Sequence, residues 1–127
     1  MHKKEVISSE NAMKPTGPYS QAIGFASLLF VAGQTAINPE TCQIVAGGIE
    51  AETRQAIDNL RTILEASGSS LNQVLKTTIF LQDIRDFTLV NSIYAGYFPS
   101  SPPARTCLEV SAMPKGAKIE IEAIAYR

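Results

Sequence analysis

The stretch Pro103-Ala104-Arg105-Thr106-Cys107-Leu108-Glu109-Val110 determines how the rest of the chain is interpreted. Proline can begin a strand but cannot donate to its ladder, and threonine, cysteine and valine suit extended backbone. Side chains alternate along a strand, so Arg105, Cys107 and Glu109 share one face, and Thr106, Leu108 and Val110 share the other. We expect the second set to form an ordinary core face. The first set places a permanent cation beside a thiol inside a small domain.

Arg105 has two alternative roles. A buried arginine is costly unless a partner compensates its charge. One alternative is a structural ion pair with Glu109 or with a carboxylate on a neighbouring strand. The other is a guanidinium left free to bind the carboxylate or phosphate of a ligand through two parallel hydrogen bonds.

The bulk composition is that of an ordinary globular protein. The chain has 127 residues, 45% hydrophobic and 18% charged, which fits one domain spanning residues 1–127. A net charge of −1 gives no general attraction to nucleic acid or anionic lipid. No apolar run approaches the ~20 residues of a membrane span, and the N-terminus lacks the apolar segment of a signal peptide. We therefore expect a cytoplasmic protein.

The positions of the cysteines and the histidine restrict the kinds of catalytic or metal site that the chain can contain. Cys42 and Cys107 lie in different contexts, a turn and a strand, which indicates free thiols rather than a disulfide. The only histidine is His2, near the N-terminus. Nucleophile pairs of the Ser-His or Cys-His type and histidine-based metal sites are thereby excluded as internal constellations.

Hydrophobic periodicity predicts six strands and two helices. Helical spacing after Gly47-Gly48 runs to Gly68, with Glu52 on the outer face, and Asp86 is expected to cap the second helix. The region 38–43 is expected to be a turn. The predicted elements are strands at 5–8, 22–25, 28–35, 74–82, from 104, and 118–126, and helices at 49–67 and 87–98. This order indicates an α+β fold with a mixed six-stranded sheet and both helices on one face.

The two faces of the sheet are unequal. The set expected under the helices is Leu75, Thr77, Ile79, Leu81, Ile119, Ile121, Ala123 and Ala125. The opposite set mixes large apolar groups with charged ones, and we expect it to include Arg105, Cys107, Glu109 and Glu120. Such a face is explained if several copies pack their sheets around a shared axis. We therefore predict a homo-oligomer with sites at subunit junctions.

Four motifs stand together in order. They are Gly17-Pro18-Tyr19-Ser20-Gln21-Ala22, Ala32-Gly33-Gln34, Pro103-Ala104-Arg105-Thr106-Cys107 and Ile119-Glu120-Ile121-Glu122-Ala123. The set closely resembles the RidA (YjgF/YER057c/UK114) family over essentially the whole chain. That resemblance implies a chorismate-mutase-like fold and a homotrimer with clefts between subunits. It also implies hydrolysis of 2-imino acids such as 2-iminobutanoate and 2-iminopropanoate to 2-keto acids and ammonia, without metal or organic cofactor.

The resemblance assigns roles to six residues. Arg105 corresponds to the residue that grips the substrate carboxylate, and Glu120 to the acid that orients the attacking water, helped by the Gly33 carbonyl. Tyr19, Asn91 and Cys107 match residues that line the cleft. From the sequence alone, a surface or packing role is favoured for Tyr19 over a place in a pocket, and a solvated amide is favoured for Asn91.

The chain departs from familiar relatives in two places. Ala32 stands where many have serine, and the connection 99–103 is shorter and rich in proline. Both departures bear on the preferred substrate side chain more than on the reaction.

Two other functions compete with imine hydrolysis. Family members have been described as ribonucleases or translation inhibitors, a function that requires a basic groove and stacking aromatic residues. Here acidic and basic residues nearly balance and tryptophan is absent. The remaining alternative is a non-catalytic protein in which the Arg105 pocket binds a keto acid or regulates a partner.

Overall fold

The computed structural model describes residues 1–127, which form eight strands and two α-helices. Their bounds are β1 (Glu5–Ile7), β2 (Ala22–Phe25), β3 (Leu28–Gln34), β4 (Ile37–Asn38), β5 (Gln43–Ile44), α1 (Gly48–Ala66), β6 (Val74–Leu81), α2 (Phe87–Tyr97), β7 (Ala104–Glu109) and β8 (Ile119–Tyr126). The predicted order of strands and helices is confirmed. The short β4–β5 hairpin occupies the region that was predicted as a turn.

Six of the strands form one mixed sheet in the order β1-β2-β3-β8-β6-β7. The pairing between β6 and β7 is parallel, and every other pairing in this sheet is antiparallel. Parallel neighbours require a crossover connection, which α2 supplies. The predicted α+β class with two helices and a mixed six-stranded sheet is therefore confirmed, and β7 lies at the edge.

The core lies between the helices and one face of the sheet. Helix α1 buries an apolar stripe of Ala56, Ile57, Leu60, Ile63 and Leu64, as its periodicity predicts. Glu52, predicted to lie outside, is buried instead. Its Oε1 accepts a hydrogen bond from the Lys118 N–H at 2.9 Å, which compensates the burial and fixes the start of β8.

The predicted orientation of β7 is wrong. The parallel register places Arg105 beside Thr77 and Cys107 beside Ile79, and both partners are buried under the helices. Arg105 and Cys107 therefore face the helices, whereas Leu108 faces the open side of the sheet. The alternating pattern identifies the two sets of side chains correctly, but only the pairing with β6 decides which set faces inward.

Two local predictions also fail. The ladder shifts register between Val74 and Lys76, so Val74 is buried and Leu75 is exposed, the reverse of the prediction. Asp86 makes no side-chain cap at the start of α2. The capping side chain is Asp83, which accepts from the Arg85 N–H and begins the short 3₁₀ turn before α2.

The other face of the sheet exposes large apolar side chains. Leu28, Phe30, Leu108 and Tyr126 are each between 36% and 44% exposed in the isolated chain. We call this surface, formed by the outward residues of β3, β6, β7 and β8, the open face. Neither helix has the length and apolar character needed to traverse a lipid bilayer.

Candidate active site

Glu120 lies on the open face near the start of β8 and borders a cavity of about 260 Å³. The cavity lies between the end of β3, the loop before β2 and the turn before β8. Its lining consists of Met13, Thr16, Tyr19, Gln21, Gly33, Gln34, Thr35, Ile37, Asn59, Pro114, Lys115 and Glu120. Three of the predicted site residues, Tyr19, Gly33 and Glu120, are therefore brought together. We call this group the acid half of the site.

Gly33 lets the Glu120 carboxylate approach the backbone closely. A Cβ placed on Gly33 would lie 2.6 Å from Oε2 and 2.7 Å from the carboxyl carbon of Glu120. Any side chain at this position would displace the carboxylate. Burial raises the pKa of Glu120, and the nearby charge of Glu122 raises it further, so the acid holds its proton more tightly than a free glutamate does.

The loop that carries Tyr19 is held by a buried glutamine. Gln21 is 3% exposed, and its Oε1 accepts from the Ser9 N–H at 2.6 Å. Its Nε2 donates to the carbonyl oxygens of Ser9 at 3.1 Å and Met13 at 3.0 Å. Because one amide side chain satisfies three backbone groups, it fixes both ends of the loop relative to β2. Tyr19 itself remains 56% exposed at the cavity rim.

Asn59 fixes the other wall of the cavity, a role that the sequence analysis missed. Its Nδ2 donates to the carbonyl oxygens of Thr35 at 3.0 Å and Ile37 at 2.8 Å, and its Oδ1 accepts from Gln55. These bonds hold the chain where β3 ends, just beyond Gly33. The available signal was a polar residue within the apolar stripe of α1, because a buried amide requires partners.

Arg105 lies against aromatic rings of α2. Its guanidinium carbon is 4.9 Å from the ring centroid of Tyr94 and 5.5 Å from that of Phe87. No carboxylate of the chain lies within ion-pair distance of Arg105. The structural ion pair is thus not formed within the chain. Glu109, one of its suggested partners, instead accepts from the Ile84 N–H at 3.0 Å.

Asn91 and Cys107 accompany Arg105. Asn91 lies on α2 between Phe87 and Tyr94 at helical spacing, and its buried Oδ1 has no hydrogen-bond partner. Cys107 shares the helix-facing side of β7 with Arg105. Burial raises the pKa of the Cys107 thiol, and the Arg105 charge opposes this effect only in part, so the thiol is neutral at physiological pH. We call these three residues the arginine half of the site.

The two halves lie on opposite faces of the sheet. Arg105 is level with Thr77 of β6, whereas Glu120 is paired with Phe80. An odd spacing along a strand places side chains on opposite faces, and three residues separate the two levels by about 10 Å. A molecule with only a few heavy atoms cannot contact both Arg105 and Glu120 of one chain.

The site residues offer three kinds of chemistry. These are carboxylate binding by a cation, proton transfer by a glutamic acid with a raised pKa, and hydrogen bonding by backbone and amide groups. No group of three or more His, Cys, Asp or Glu side chains is arranged to hold a metal ion.

Comparison with known proteins identifies the family. The family model described as endoribonuclease L-PSP matches residues 9–127. The chain is 56% identical over 124 residues to a RutC family protein of Pyrococcus horikoshii, with 98% of each chain covered. It is 45% identical to a human protein named 2-iminobutanoate/2-iminopropanoate deaminase, over 98% of this chain and 90% of that one.

Comparison with solved structures agrees with this family assignment. The crystal structure of the YjgF gene product of E. coli matches with a TM-score of 0.92 and 40% sequence identity, covering 97% of this chain and 98% of that one. Substantial sequence identity and the arrangement of helices and strands both extend across nearly the full length. The chain is a member of the YjgF/RidA family.

Proposed function

We propose that this protein hydrolyses small 2-imino acids, such as 2-iminobutanoate and 2-iminopropanoate, to 2-keto acids and ammonia in the cytoplasm. The observation that carries the proposal is the state of Arg105, a partly buried cation that lies on aromatic rings and has no acidic partner. A guanidinium in this state is suited to bind a carboxylate that arrives with a ligand. The naming of a 45% identical relative as an imine deaminase supports the substrate class.

The proposed site is composite. Because Arg105 and Glu120 lie on opposite faces of one chain, the acid half of one copy would join the arginine half of an adjacent copy. The exposed apolar side chains of the open face supply a surface on which copies can pack. We propose a homotrimer, in which three such junctions give three equivalent sites.

The reaction makes modest demands on these groups. Arg105 would bind the substrate carboxylate and so hold carbon 2 next to one ordered water. Water attacks carbon 2 of the protonated imine, a C–O bond forms as the C=N π electrons move to nitrogen, and Glu120 accepts a proton from the water. Glu120 then returns this proton to the nitrogen of the tetrahedral intermediate. The C–N bond breaks and releases ammonia, while the hydroxyl group loses its proton to become the keto oxygen. The Gly33 carbonyl would help to orient the water, while Tyr19 and Asn91 would enclose the substrate.

Cys107 has the properties of a lining group rather than a nucleophile. Its thiol is neutral at physiological pH, and the only histidine, His2, lies against Phe25 at the far side of the sheet from β7. A protonated imine is already electrophilic, so water suffices as the attacking species.

Mixing two inactive variants tests both the reaction and the composite site. We expect Arg105→Ala and Glu120→Ala each to lose more than about 99% of imine hydrolysis while remaining folded. Co-expressed in equal amounts and purified as mixed trimers, they should regain about a third of the wild-type sites, because one of the three junctions in each mixed trimer joins two intact halves. Hydrolysis is followed as suppression of semicarbazone formation when a dehydratase generates 2-aminocrotonate.

The controls separate the possible failures. Arg61→Ala removes another arginine that lies over a tyrosine of α2, at 5.7 Å from the Tyr97 centroid, and should leave turnover unchanged. Mixed trimers without activity would contradict the composite site. Absence of hydrolysis in the wild-type protein, together with retained binding of 2-oxobutanoate, would favour the non-catalytic alternative.

A further inference from the structure

The aromatic contact of Arg105 is itself anchored to the strand beside it. The Tyr94 hydroxyl and the Thr77 Oγ1 form a buried hydrogen bond of 2.8 Å. Thr77 is also the residue of β6 that is level with Arg105 on β7. We propose that Tyr94, anchored by Thr77, is a positioning residue that holds the Arg105 guanidinium ready for the substrate carboxylate. This inference rests on the proposed function, because it deepens the role assigned to Arg105.

The contacts form a closed circuit of three residues. Arg105 and Thr77 are fixed relative to each other by the β6–β7 ladder, Thr77 is bonded to Tyr94, and the Tyr94 ring contacts Arg105. Thr77 is fully buried and Tyr94 is 6% exposed. The ring cannot move away without breaking a hydrogen bond that water does not replace. Tyr94 therefore presents a fixed surface to the guanidinium.

An aromatic ring and a carboxylate hold an arginine side chain in different ways. A carboxylate partner would also immobilise Arg105, but it would occupy the N–H groups that a substrate needs. Aromatic rings contact the flat face of the guanidinium and leave its N–H edge free. A side chain as flexible as arginine loses substantial entropy when a ligand fixes it. Holding it beforehand removes part of that cost from substrate binding.

Tyr94 is set apart from the other tyrosine of α2. Tyr97 also lies near an arginine, Arg61, but Arg61 is paired with Asp58 at 2.6 Å on the outer surface. The Arg61 guanidinium is thus already occupied by an acid, whereas that of Arg105 is held by rings alone. The same substitution at Tyr97 therefore serves as a matched control.

The experiment measures binding and turnover in three variants. Tyr94→Leu removes the ring and should raise the Kd for 2-oxobutanoate, measured by calorimetry, and the KM for the imine by about tenfold. The fall in kcat should be smaller than the rise in KM. Tyr94→Phe keeps the ring and loses only the anchor to Thr77, so its KM should rise by no more than about threefold. Tyr97→Leu should change neither constant.

A double-mutant cycle with Arg105→Lys distinguishes positioning from general support of the fold. Lysine has no flat face for the ring to hold, so adding Tyr94→Leu to Arg105→Lys should raise KM less than it does in the wild type. Equal effects in both backgrounds, or a Tyr94→Leu protein with wild-type KM, would overturn the proposal. If Tyr94→Leu fails to fold, Tyr94→Phe takes its place in the same cycle. A KM that Tyr94→Phe raises equally in the Arg105 and Arg105→Lys backgrounds would then overturn the proposal.

The outcomes also separate this inference from the proposed function. A wild-type protein that binds 2-oxobutanoate without hydrolysing imines would contradict the deaminase activity, while the Kd series would still test Tyr94. Wild-type hydrolysis with unaltered binding in Tyr94→Leu would contradict only the positioning role. A wild-type protein with neither binding nor hydrolysis would overturn both.

Discussion

Individual residues of the site are defined by what surrounds them more than by their own chemistry. Arg105 has no acidic partner, the Glu120 carboxyl has a raised pKa, and the Asn91 carbonyl oxygen is buried without a donor. Each of these states is costly in an isolated chain. At the proposed junction between two copies, one ligand that supplies a carboxylate, a proton and a hydrogen-bond donor would relieve all three, and a protonated 2-imino acid with its water carries each of these groups.

The ionisation of a single residue, Glu120, should determine how turnover depends on pH. Glu120 must be ionised to accept a proton from water, so activity should fall as the pH drops through its raised pKa. The acidic limb of kcat/KM should therefore lie above the ordinary range of a glutamic acid. Glu122→Gln removes one of the two causes of the shift, so the limb should move to lower pH.

The pH profiles of kcat/KM are compared between the wild type and Glu122→Gln. Titration of the substrate affects both profiles equally, so it does not contribute to their difference. The measurement is imine hydrolysis over the range from pH 4 to pH 8, roughly the span in which carboxylates and histidines titrate. Coincident limbs in the wild type and Glu122→Gln would show that Glu120 does not govern the acidic side. The kcat at high pH should stay unchanged, because glutamine keeps the volume of Glu122 and this position borders no part of the Glu120 cavity.

Among the elements, β7 decides the arrangement of the site. Its parallel pairing to β6 turns Arg105 and Cys107 towards α2, where Phe87 and Tyr94 meet them. The sequence predicts the strand and the unusual arginine, but both faces of β7 carry apolar side chains. Periodicity alone could not choose between them, because the choice depends on a strand more than twenty residues away along the chain.

The elements and their order were otherwise predictable. The helices show clear periodicity, and the strands are rich in β-branched residues, so local pattern and final structure agree. The contacts of Asn59 and Gln21 were not predictable, since each depends on backbone carbonyls brought close by the fold. The register shift at Val74 likewise depends on the pairing of β6 with β8.

The loop that carries Tyr19 should depend on Gln21. Gln21→Leu keeps the approximate volume but leaves the Ser9 N–H and the carbonyl oxygens of Ser9 and Met13 without partners. We expect a loss of about 2–4 kcal/mol in the free energy of unfolding, measured by denaturant titration. The KM should rise as well, because Tyr19 loses its fixed position.

A neighbouring glutamine provides the control for this prediction. Gln34 also lines the cavity, but its Nε2 makes one local bond, to the Ala32 carbonyl at 3.1 Å. Gln34→Leu should therefore cost less than about 1 kcal/mol of stability. Similar losses in the two variants would show that the Gln21 network does not hold the loop in the way we describe.

At the scale of the whole molecule, the open face is the dominant feature. It exposes Phe30, Leu108 and Tyr126 on the same side of the sheet as Glu120, while the arginine half lies behind the sheet at its β7 edge. Packing of copies through this face would cover the apolar side chains and join unlike halves at each junction. Catalysis would then depend on assembly.

A charge on the open face should therefore remove both the assembly and the activity. Leu108→Glu places a carboxylate where we expect a neighbouring copy, and it should shift the trimer towards monomers at micromolar concentration in sedimentation experiments. Specific activity should fall in parallel by more than about tenfold, since a buried leucine contributes about 2 kcal/mol per copy. The isolated chain should keep its fold, because Leu108 is not part of the core cluster.

Leu89→Glu is the matched control, since Leu89 is similarly exposed but lies on α2, away from the open face. It should alter neither assembly nor activity. A monomeric Leu108→Glu protein with full activity would show that a single chain contains a complete site, and the composite arrangement would have to be abandoned.

The placement of Arg105 and Glu120 on opposite sides of one sheet has a consequence for the living cell. If the proposed composite site is formed, a freshly translated chain would be chemically inert, and imine hydrolysis would begin only once enough copies had accumulated to assemble. Activity would then rise more steeply than expression near that threshold concentration, so modest changes in synthesis or degradation would have a large effect on turnover.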